Sequence, residues 1–356
     1  MTMSRLPAEG TKDRAKLEAM RRRGGARQSQ LQEIDGNGGW GTYKNDGERY
    51  AQILRRQLTI SGSGANRIYE LLPADNHSIA VPEVRITTSD KRANFRKLHE
   101  QGCFVIPNPW DVGSARYLQH AGFQALASTS SGYAWSTGRA DNHVSCDDVI
   151  DHLTMLSAAT DLPVNADFEA GFADDPAGVA ANVARAVATG IAGLSIENST
   201  GRPAQPLYED GLAVARIRAA RAAIDAVDPV VMLVARCEGF LVGERDLGKT
   251  IARLVAFAEA GADCLYAPGI AAPDDIAAVV RAVHPKPVNV LIVQPSMTMQ
   301  GLASLGVRRI SVGGALARTA WAGFMGAAQE IAEQGTFTAF ANAAKGAELN
   351  GLFAGK

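Results

Sequence analysis

The feature that most constrains the fold of this chain is a regular alternation of short apolar segments and alanine-rich segments, which runs from about residue 100 to residue 335. The apolar segments are rich in β-branched residues, as buried strands are, and the segments between them place apolar residues at helical spacing. The predicted strands lie near residues 103–107, 125–129, 164–168, 193–197, 230–236, 263–267, 287–293 and 308–312. The predicted helices lie at 112–121, 147–159, 176–189, 211–226, 244–260, 273–283, 298–305 and 314–333. This pattern indicates βα units around a parallel sheet.

The number of these units favours a closed (β/α)8 barrel, the TIM-barrel fold. An open doubly wound sheet would show the same alternation, but it usually has fewer units and a glycine-rich first turn. The first turn here is Pro107-Asn108-Pro109-Trp110-Asp111, which contains no glycine. We therefore predict a (β/α)8-barrel catalytic domain over residues 89–356.

Residues 1–88 differ in character from the rest of the chain. They contain the run Arg21-Arg22-Arg23, glycine-rich stretches and only short apolar stretches. An arginine run can mark a nucleic-acid contact, but the charge around this one is mixed, which favours a solvated segment. We predict that residues 1–88 are an N-terminal extension, poorly ordered or appended to the enzyme, with no apolar face wide enough to build a core.

Composition limits the partners and the compartment. The chain has 36 Lys and Arg against 37 Asp and Glu, a net charge of −1, so we expect neither a nucleic-acid nor a membrane partner. The four cysteines are widely spaced, as reduced thiols in a cytoplasmic protein often are. No apolar stretch approaches the roughly 20 residues of a membrane-spanning helix. We expect a soluble, cytoplasmic protein.

Carboxylates gather where the third and fourth predicted strands end. Asp167 and Glu169 lie on the same side of one strand by alternation, and Glu197 ends the next strand. The carboxyl ends of barrel strands form the active site, so these acids should meet there, and Asp141 could complete the ring. Neighbouring carboxylates repel one another unless a cation lies between them, and Mg²⁺ or Mn²⁺ prefers such oxygen ligands. Any single acid could instead be a strand-end cap or an ion-pair partner of Arg236.

Two further elements point to an anionic substrate. Arg236 ends the fifth predicted strand, and a guanidinium can bind a substrate carboxylate through two parallel hydrogen bonds. The segment Ser130-Ser131-Gly132-Tyr133 follows the second strand and could offer N–H groups and hydroxyls to an oxyanion. An ordinary Ser/Gly loop would read the same way.

These polar segments occur in a recognisable order along the chain. They are Pro107-Asn108-Pro109-Trp110-Asp111, Ser130-Ser131-Gly132, Gly138-Arg139-Ala140-Asp141, Leu162-Pro163-Val164-Asn165-Ala166-Asp167-Phe168-Glu169-Ala170-Gly171-Phe172, Ile196-Glu197-Asn198 and Ala235-Arg236. In this order, residues 93–335 resemble the isocitrate lyase/phosphoenolpyruvate mutase superfamily. The resemblance implies an enzyme that acts on a 2-oxo acid or its enolate by C–C cleavage, decarboxylation or P–C rearrangement.

The resemblance also implies a Mg²⁺ cofactor and assigns its ligands. Glu169 matches the acid that binds the metal directly, whereas Asp167, Glu197 and Asp141 match acids that hold metal-bound waters. Where the family usually has Asp-x-Asp, this chain has Asp167-x-Glu169, and Asp141 is displaced by one residue relative to the mutases.

The substrate would be bound by a second set of residues. Arg236 matches the arginine that grips the substrate carboxylate, and the Ser131–Gly132 segment matches the loop whose backbone steadies the 2-oxo or enolate oxygen. The implied substrate contacts are Ser130, Ser131, Gly132, Tyr133, Asn198 and Arg236. The family further implies a homotetramer in which the last barrel helix, at about 314–333, is exchanged between subunits.

One departure from the family's sequence pattern reduces the number of reactions that this chain is expected to catalyse. Its lyases carry a Lys-Lys-Cys-Gly-His stretch after the fourth strand, whose cysteine works as acid/base, and residues 197–206 contain neither cysteine nor histidine. Decarboxylation forms an enolate without that cysteine, so we expect a Mg²⁺-dependent lyase or decarboxylase acting on a 2-oxo acid or related dicarboxylate. The alternatives are a phosphonomutase and a non-catalytic barrel that binds a metabolite.

Overall fold

The computed structural model describes residues 11–21, 26–35, 43–44, 48, 58–61, 67–71 and 86–354. The chain forms two compact units, Met1–Arg85 and Ile86–Lys356. Within the described residues, no helix combines the length and the apolar character needed to cross a membrane.

The first unit contains two helices and a small antiparallel sheet. Its elements are α1 (Lys12–Arg21), β1 (Ala26–Arg27), α2 (Gln28–Asp35), β2 (Leu58–Ser61) and β3 (Ile68–Leu71), with sheet order β1-β3-β2. A small apolar cluster includes Leu17 and Met20 of α1 together with Tyr43 and Tyr69, whose rings meet edge to face. The prediction that this region has no apolar face for a core was therefore wrong for α1.

The second unit is a (β/α)8 barrel, as predicted. Its strands are β4 (Phe104–Ile106), β5 (Leu126–Ala127), β6 (Val164–Asp167), β7 (Gly193–Glu197), β8 (Met232–Arg236), β9 (Cys264–Tyr266), β10 (Val288–Leu291) and β11 (Arg309–Ser311). They form one eight-stranded parallel sheet in the order β4-β11-β10-β9-β8-β7-β6-β5. The barrel is nearly closed, because the Ala127 N–H donates to the Pro107 carbonyl at 3.0 Å across the remaining seam.

Helices pack around the outside and at the ends of the barrel. They are α3 (Thr88–Leu98), α4 (Val112–His120), α5 (Ser130–Ser136), α6 (Cys146–Ala159), α7 (Pro176–Ala188), α8 (Asp210–Val227), α9 (Leu247–Glu259), α10 (Pro273–Val283), α11 (Met299–Ser304) and α12 (Ala315–Gln334). Several begin at a side chain that accepts a backbone N–H of the first turn, as Asp111, Ser145 and Asp175 do. All eight predicted strands and the eight predicted helices are confirmed.

Within residues 86–334, two helices of this unit were not predicted from the sequence. The segment Ser130–Ser136 is helical, so the reading of Ser130-Ser131-Gly132-Tyr133 as a loop was wrong. Helix α3 precedes the first barrel strand and packs Phe95 against the barrel interior. Its cations bind groups next to the amino ends of the strands, and Arg92 donates to the carbonyls of Val187 and Ile191.

The C-terminal region is the least covered part of this unit. Helix α12 buries only Ala317, while Phe324 is 63% and Met325 is 61% exposed. A 3₁₀ turn (Thr338–Asn342) and a short helix α13 (Gly346–Phe353) follow, and they also expose apolar side chains.

Candidate active site

Arg236 lies at the centre of the polar side chains at the carboxyl ends of the strands. Its Nη1 lies 2.7 Å from Asp167 Oδ1, its Nη2 3.1 Å from Glu197 Oε2 and its Nε 2.9 Å from Glu238 Oε1. The sheet explains this arrangement, because Glu197 and Arg236 are register partners on β7 and β8. The structure therefore brings Asp167, Glu197 and Arg236 together, and the first two are ion-pair partners of Arg236.

Glu238 was missed by the sequence analysis, although the pattern contained a signal for it. It stands two residues after Arg236, the same spacing that placed Asp167 and Glu169 on one side of a strand. Glu238 is buried, and its backbone N–H donates to Asn198 Oδ1 at 2.8 Å. Asn198 thus orients the chain at Glu238, and its own Nδ2 is buried without a partner among the residues described.

This group of carboxylates can carry more negative charge than Arg236 balances. Burial raises the pKa of Glu197 well above its usual value, and Glu238 and Asp167 raise it further against the opposing effect of Arg236. Burial also raises the pKa of Glu238, while Arg236 lowers it. With all three carboxylates ionised, the charge around this single guanidinium would be net negative in a poorly solvated site, which favours the neutral forms of Glu197 and Glu238.

Glu169 adds to this excess, and no ion pair is formed by it within residues 86–354. It follows β6 with a positive φ of 46°, which is uncommon for a residue with a side chain. Burial, with Asp167 and Asp141 nearby, raises the pKa of Glu169 to about 8. Burial also raises the pKa of Asp141, and Asp167 adds to that effect. Asp141 therefore lies close enough to belong to the same electrostatic group.

The fit of this site to a divalent metal can be judged from its donors and its charge. All its candidate ligands are carboxylate oxygens, which suit a hard ion such as Mg²⁺ or Mn²⁺. Burial, together with Asp167 and Asp141, raises the pKa of Glu169, and a cation bound beside it would offset these effects. In the described part of the chain, no three His, Cys, Asp or Glu side chains already stand in a metal-ligating arrangement. The residues fit the ion in chemistry and charge.

Helix α5 points its first turn at this site. The Ser130 N–H donates to Asp167 Oδ2 at 3.0 Å, and the Asp167 N–H donates to Ser128 Oγ at 2.8 Å. Thr129 caps the helix by accepting the Gly132 N–H at 3.3 Å. A Cβ at Gly132 would lie 2.6 Å from Thr129 Cγ2, so this position requires glycine. The predicted Ser130–Gly132 segment does reach the acid cluster, but as a helix N-terminus.

Tyr133 lies on the same short helix but has other partners. Its hydroxyl donates to the Asp148 carbonyl at 3.1 Å, and its ring stacks on His152 with the centroids 3.8 Å apart. These contacts position Tyr133 against α6.

The segment after β7 is folded back on itself. Ser199 and Leu207 form an isolated antiparallel bridge, and the Thr200 N–H donates to the Pro206 carbonyl at 2.9 Å. Arg202 and Tyr208 both bind the carboxylate of Asp174, which lies in the segment after β6. The segments that follow β6 and β7 are therefore joined at the same end of the barrel.

Comparison with known proteins gives a consistent picture. Residues 95–332 match the family described as phosphoenolpyruvate phosphomutase. A Burkholderia cenocepacia structure described as a candidate lyase/mutase is 50% identical, with a TM-score of 0.73 over 75% of this chain and 96% of its own. A candidate phosphonomutase from the same organism is 35% identical, with a TM-score of 0.62 over 67% and 99%. The oxaloacetate decarboxylase of Pseudomonas aeruginosa is 30% identical over 239 residues, which are 63% of this chain and 79% of the relative.

Proposed function

This chain belongs to the phosphoenolpyruvate phosphomutase family, and from that premise we propose that it is a Mg²⁺-dependent carbon–carbon lyase that decarboxylates a 2-oxo dicarboxylate. The observation that carries the proposal is the group of buried carboxylates around Arg236, which needs a further cation. The similarity to an oxaloacetate decarboxylase supports a substrate of the oxaloacetate type.

The proposed ligands of Mg²⁺, or of Mn²⁺, are Glu169 directly and Asp167, Glu197 and Asp141 through water. When bound, the ion would act as a Lewis acid on the 2-oxo acid end of the substrate. Glu169 has no competing ion pair within residues 86–354, whereas Asp167 and Glu197 are partly engaged by Arg236. That difference supports Glu169 as the direct ligand.

Arg236 and helix α5 would hold the substrate. Arg236 has N–H donors beyond those used by its carboxylate partners, and these can bind a substrate carboxylate. The first N–H groups of a helix have no intrahelical acceptor, so the Ser131 N–H, in the first turn of α5, can donate to the developing enolate oxygen. Ser130 and Asn198 lie beside these groups and would orient the substrate, whereas the contacts of Tyr133 support a more indirect role.

The amino-acid composition of the segment after β7 also favours decarboxylation. Residues 198–206 include no cysteine, histidine or lysine, so this segment supplies no acid/base group for cleaving an alcohol. In decarboxylation the bond to the departing carboxylate breaks, CO₂ leaves, and the electron pair remains on the carbon next to the 2-oxo group. The enolate then takes a proton from solvent to give the shorter 2-oxo acid.

The test is the release of pyruvate from oxaloacetate, followed with lactate dehydrogenase, with Mg²⁺, with Mn²⁺ and with excess chelator. Free metal ions decarboxylate oxaloacetate by themselves, so each rate is compared with the same solution lacking enzyme. We expect catalysis that requires metal and that falls by more than about 100-fold in Glu169→Ala, because a direct ligand is lost.

The matched control is Glu100→Gln, which changes an exposed acid outside the site and should keep the parent rate. Equal rates with chelator present, or an unaffected Glu169→Ala, would refute the proposed metal site. If oxaloacetate and related malates are all inert while ligand binding persists, the non-catalytic barrel becomes the better description.

The second candidate is a phosphonomutase, which also works without the lyase cysteine. It is favoured by the family and by the 35% identical neighbour described as a candidate phosphonomutase. Phosphorus NMR of the enzyme with phosphonopyruvate distinguishes the two, because rearrangement replaces the phosphonate signal by a phosphate-ester signal. Rearrangement without decarboxylation would overturn the decarboxylase proposal.

We also propose that the protein is a cytoplasmic homotetramer in which α12 packs on a neighbouring subunit. The exposed apolar side chains of α12 support this arrangement, because a monomer rarely leaves such a surface uncovered. Light scattering coupled to gel filtration should give a tetramer for the parent protein. Phe324→Asp together with Met325→Asp should give smaller species, and an unchanged mass would contradict the proposed interface.

A further inference from the structure

Arg216 is a buried cation that lies outside the group of carboxylates around Arg236. It belongs to α8, is 1% exposed, and forms no ion pair with a carboxylate within residues 86–354. Burying an unpaired guanidinium is costly, so an apolar residue would serve the packing of α8 better. The contacts of its guanidinium therefore need a reason other than packing.

Those contacts fall on the segment that carries Glu169. Arg216 Nη1 donates to the carbonyls of Ala173 and Asp174, and its Nη2 donates to the carbonyl of Ala170. Asn182, on α7, donates from Nδ2 to the carbonyls between them, Gly171 at 3.0 Å and Phe172 at 3.3 Å. Two side chains thus satisfy every carbonyl from Ala170 to Asp174.

The segment needs such support because its backbone is unfavourable. Glu169, Gly171 and Phe172 have φ values of 46°, 75° and 56°, in the left-handed region. Residues with a Cβ occupy this region only where the surroundings fix them, and no regular secondary structure does so here. The carbonyl of Glu169 accepts the Glu197 N–H at 3.0 Å, so every carbonyl from Glu169 to Asp174 has a donor.

Arg216 also contacts the segment after β7. Its guanidinium carbon lies 3.9 Å from the centroid of the Tyr208 ring, a stacking distance for a cation and an aromatic face. The Tyr208 hydroxyl donates to Asp174 Oδ1 at 2.5 Å, and Arg202 Nη1 donates to Asp174 Oδ2 at 2.9 Å. The Arg216 guanidinium therefore contacts both the segment after β6 and the segment after β7.

We propose that Arg216 is a positioning residue, which fixes the backbone of residues 169–174, and with it the carboxylate of Glu169, and which links that backbone to residues 198–209 through Tyr208. The inference rests on the proposed function, because Glu169 matters to the reaction as a metal ligand. Arg216 touches neither the substrate nor the metal in this scheme. It acts on Glu169 through the backbone carbonyls to which it donates.

The experiment compares Arg216→Met, Arg216→Lys and Tyr208→Phe with the parent protein. Mn²⁺ binding is titrated by electron paramagnetic resonance, and hydrogen exchange is measured for peptides covering residues 168–174 and 198–209. We expect about tenfold weaker Mn²⁺ binding and faster exchange of both peptides in Arg216→Met. Arg216→Lys keeps the charge but loses the fork of donors, so it should show a smaller effect of the same sign. Tyr208→Phe should accelerate exchange in both peptides and weaken Mn²⁺ binding by about threefold.

The matched control is Arg218→Met, on the exposed side of the same helix, which should leave Mn²⁺ binding and exchange unchanged. If Arg216→Lys and Tyr208→Phe bind Mn²⁺ like the parent and exchange at the parent rate, the proposal is overturned. If the parent itself binds no Mn²⁺, the proposed function fails. The role of Arg216 is then decided by exchange alone, and unchanged exchange of residues 168–174 overturns it.

Discussion

The two ends of the barrel both bury charged side chains, but they balance them differently. At the amino ends of the strands, Lys91 donates to the carbonyls of Ser157 and Thr160, and Arg92 pairs with Asp228 at 2.7 Å. At the carboxyl ends, carboxylates outnumber the cation Arg236, and Glu169 has no ion pair within the described residues. In barrel enzymes the first end serves stability and the second serves catalysis. The unpaired carboxylate at the carboxyl end supports the metal site proposed there.

The largest expected effect concerns the carboxyl end. Glu169→Gln should lower metal-dependent turnover of oxaloacetate by more than about 100-fold, because a neutral amide is a poor ligand for Mg²⁺. The metal-free protein should melt at the parent temperature or higher, because one of several repelling carboxylates is removed. Activity and thermal unfolding are measured on the same preparation. A melting temperature lower by more than about 5 °C would show that Glu169 serves stability instead.

The next largest effect concerns the amino end, where a substitution should lower stability and leave activity unchanged. Arg92→Met should lower the free energy of unfolding by about 3 kcal/mol, because it leaves Asp228 and two carbonyls without their cation. The rate per folded molecule should not change. Denaturant unfolding and the kinetic assay measure the two quantities, with Lys97→Met, an exposed position on the same helix, as the neutral control. A fall in turnover with stability intact would contradict the proposal that the amino end serves stability and the carboxyl end serves catalysis.

The amino end should also make stability depend on pH, through His99. Burial lowers the pKa of His99 to about 3 from 6.5, and Arg309 adds to this effect. The unfolded chain therefore binds a proton at His99 below pH 6.5 while the folded chain does not. This contribution to stability is complete above pH 6.5 and is lost, by about 1.4 kcal/mol per pH unit, as the pH falls toward 3.

His99→Phe should flatten this dependence, because a phenyl ring keeps the edge-to-face contacts with Phe95 and Phe104 but does not titrate. Urea unfolding of both proteins at pH 7 and at pH 5 makes the comparison. A slope in the variant equal to that of the parent would show that His99 is not the group responsible.

The smallest expected effect is at the start of α3. Thr87 Oγ1 accepts the Asp90 N–H at 3.1 Å, and Asp90 Oδ2 accepts the Thr87 N–H at 2.9 Å, which together form a capping box. Thr87→Ala should therefore lower the free energy of unfolding by about 1 kcal/mol. Ser89→Ala, in the exposed first turn of the same helix, should change it little. Equal losses in the two variants would mean that the cap does not stabilise the helix that covers the amino end.

The sequence by itself determined the order and type of the barrel elements. Apolar periodicity is local, so it could be read one segment at a time, and the strands ending in Asp167, Glu197 and Arg236 were predicted in this way. Each of these residues ends its strand, so the predicted barrel also placed them at the end where barrel enzymes have their active sites. The apolar pattern did not identify α5 as a helix, because a run containing serine and glycine suits a loop as well.

Only the tertiary structure decided which charges meet. Arg236 pairs with Asp167, which lies 69 positions away in the chain, and Arg216 donates to Ala170 from 46 positions away. Such contacts depend on strand register and helix packing, which no local pattern encodes. The support of the Glu169 segment by Asn182 and Arg216 has the same origin, since these side chains come from two different helices. The sequence thus predicted a carboxylate site, and the packing of the barrel determined which of its charges remain unbalanced.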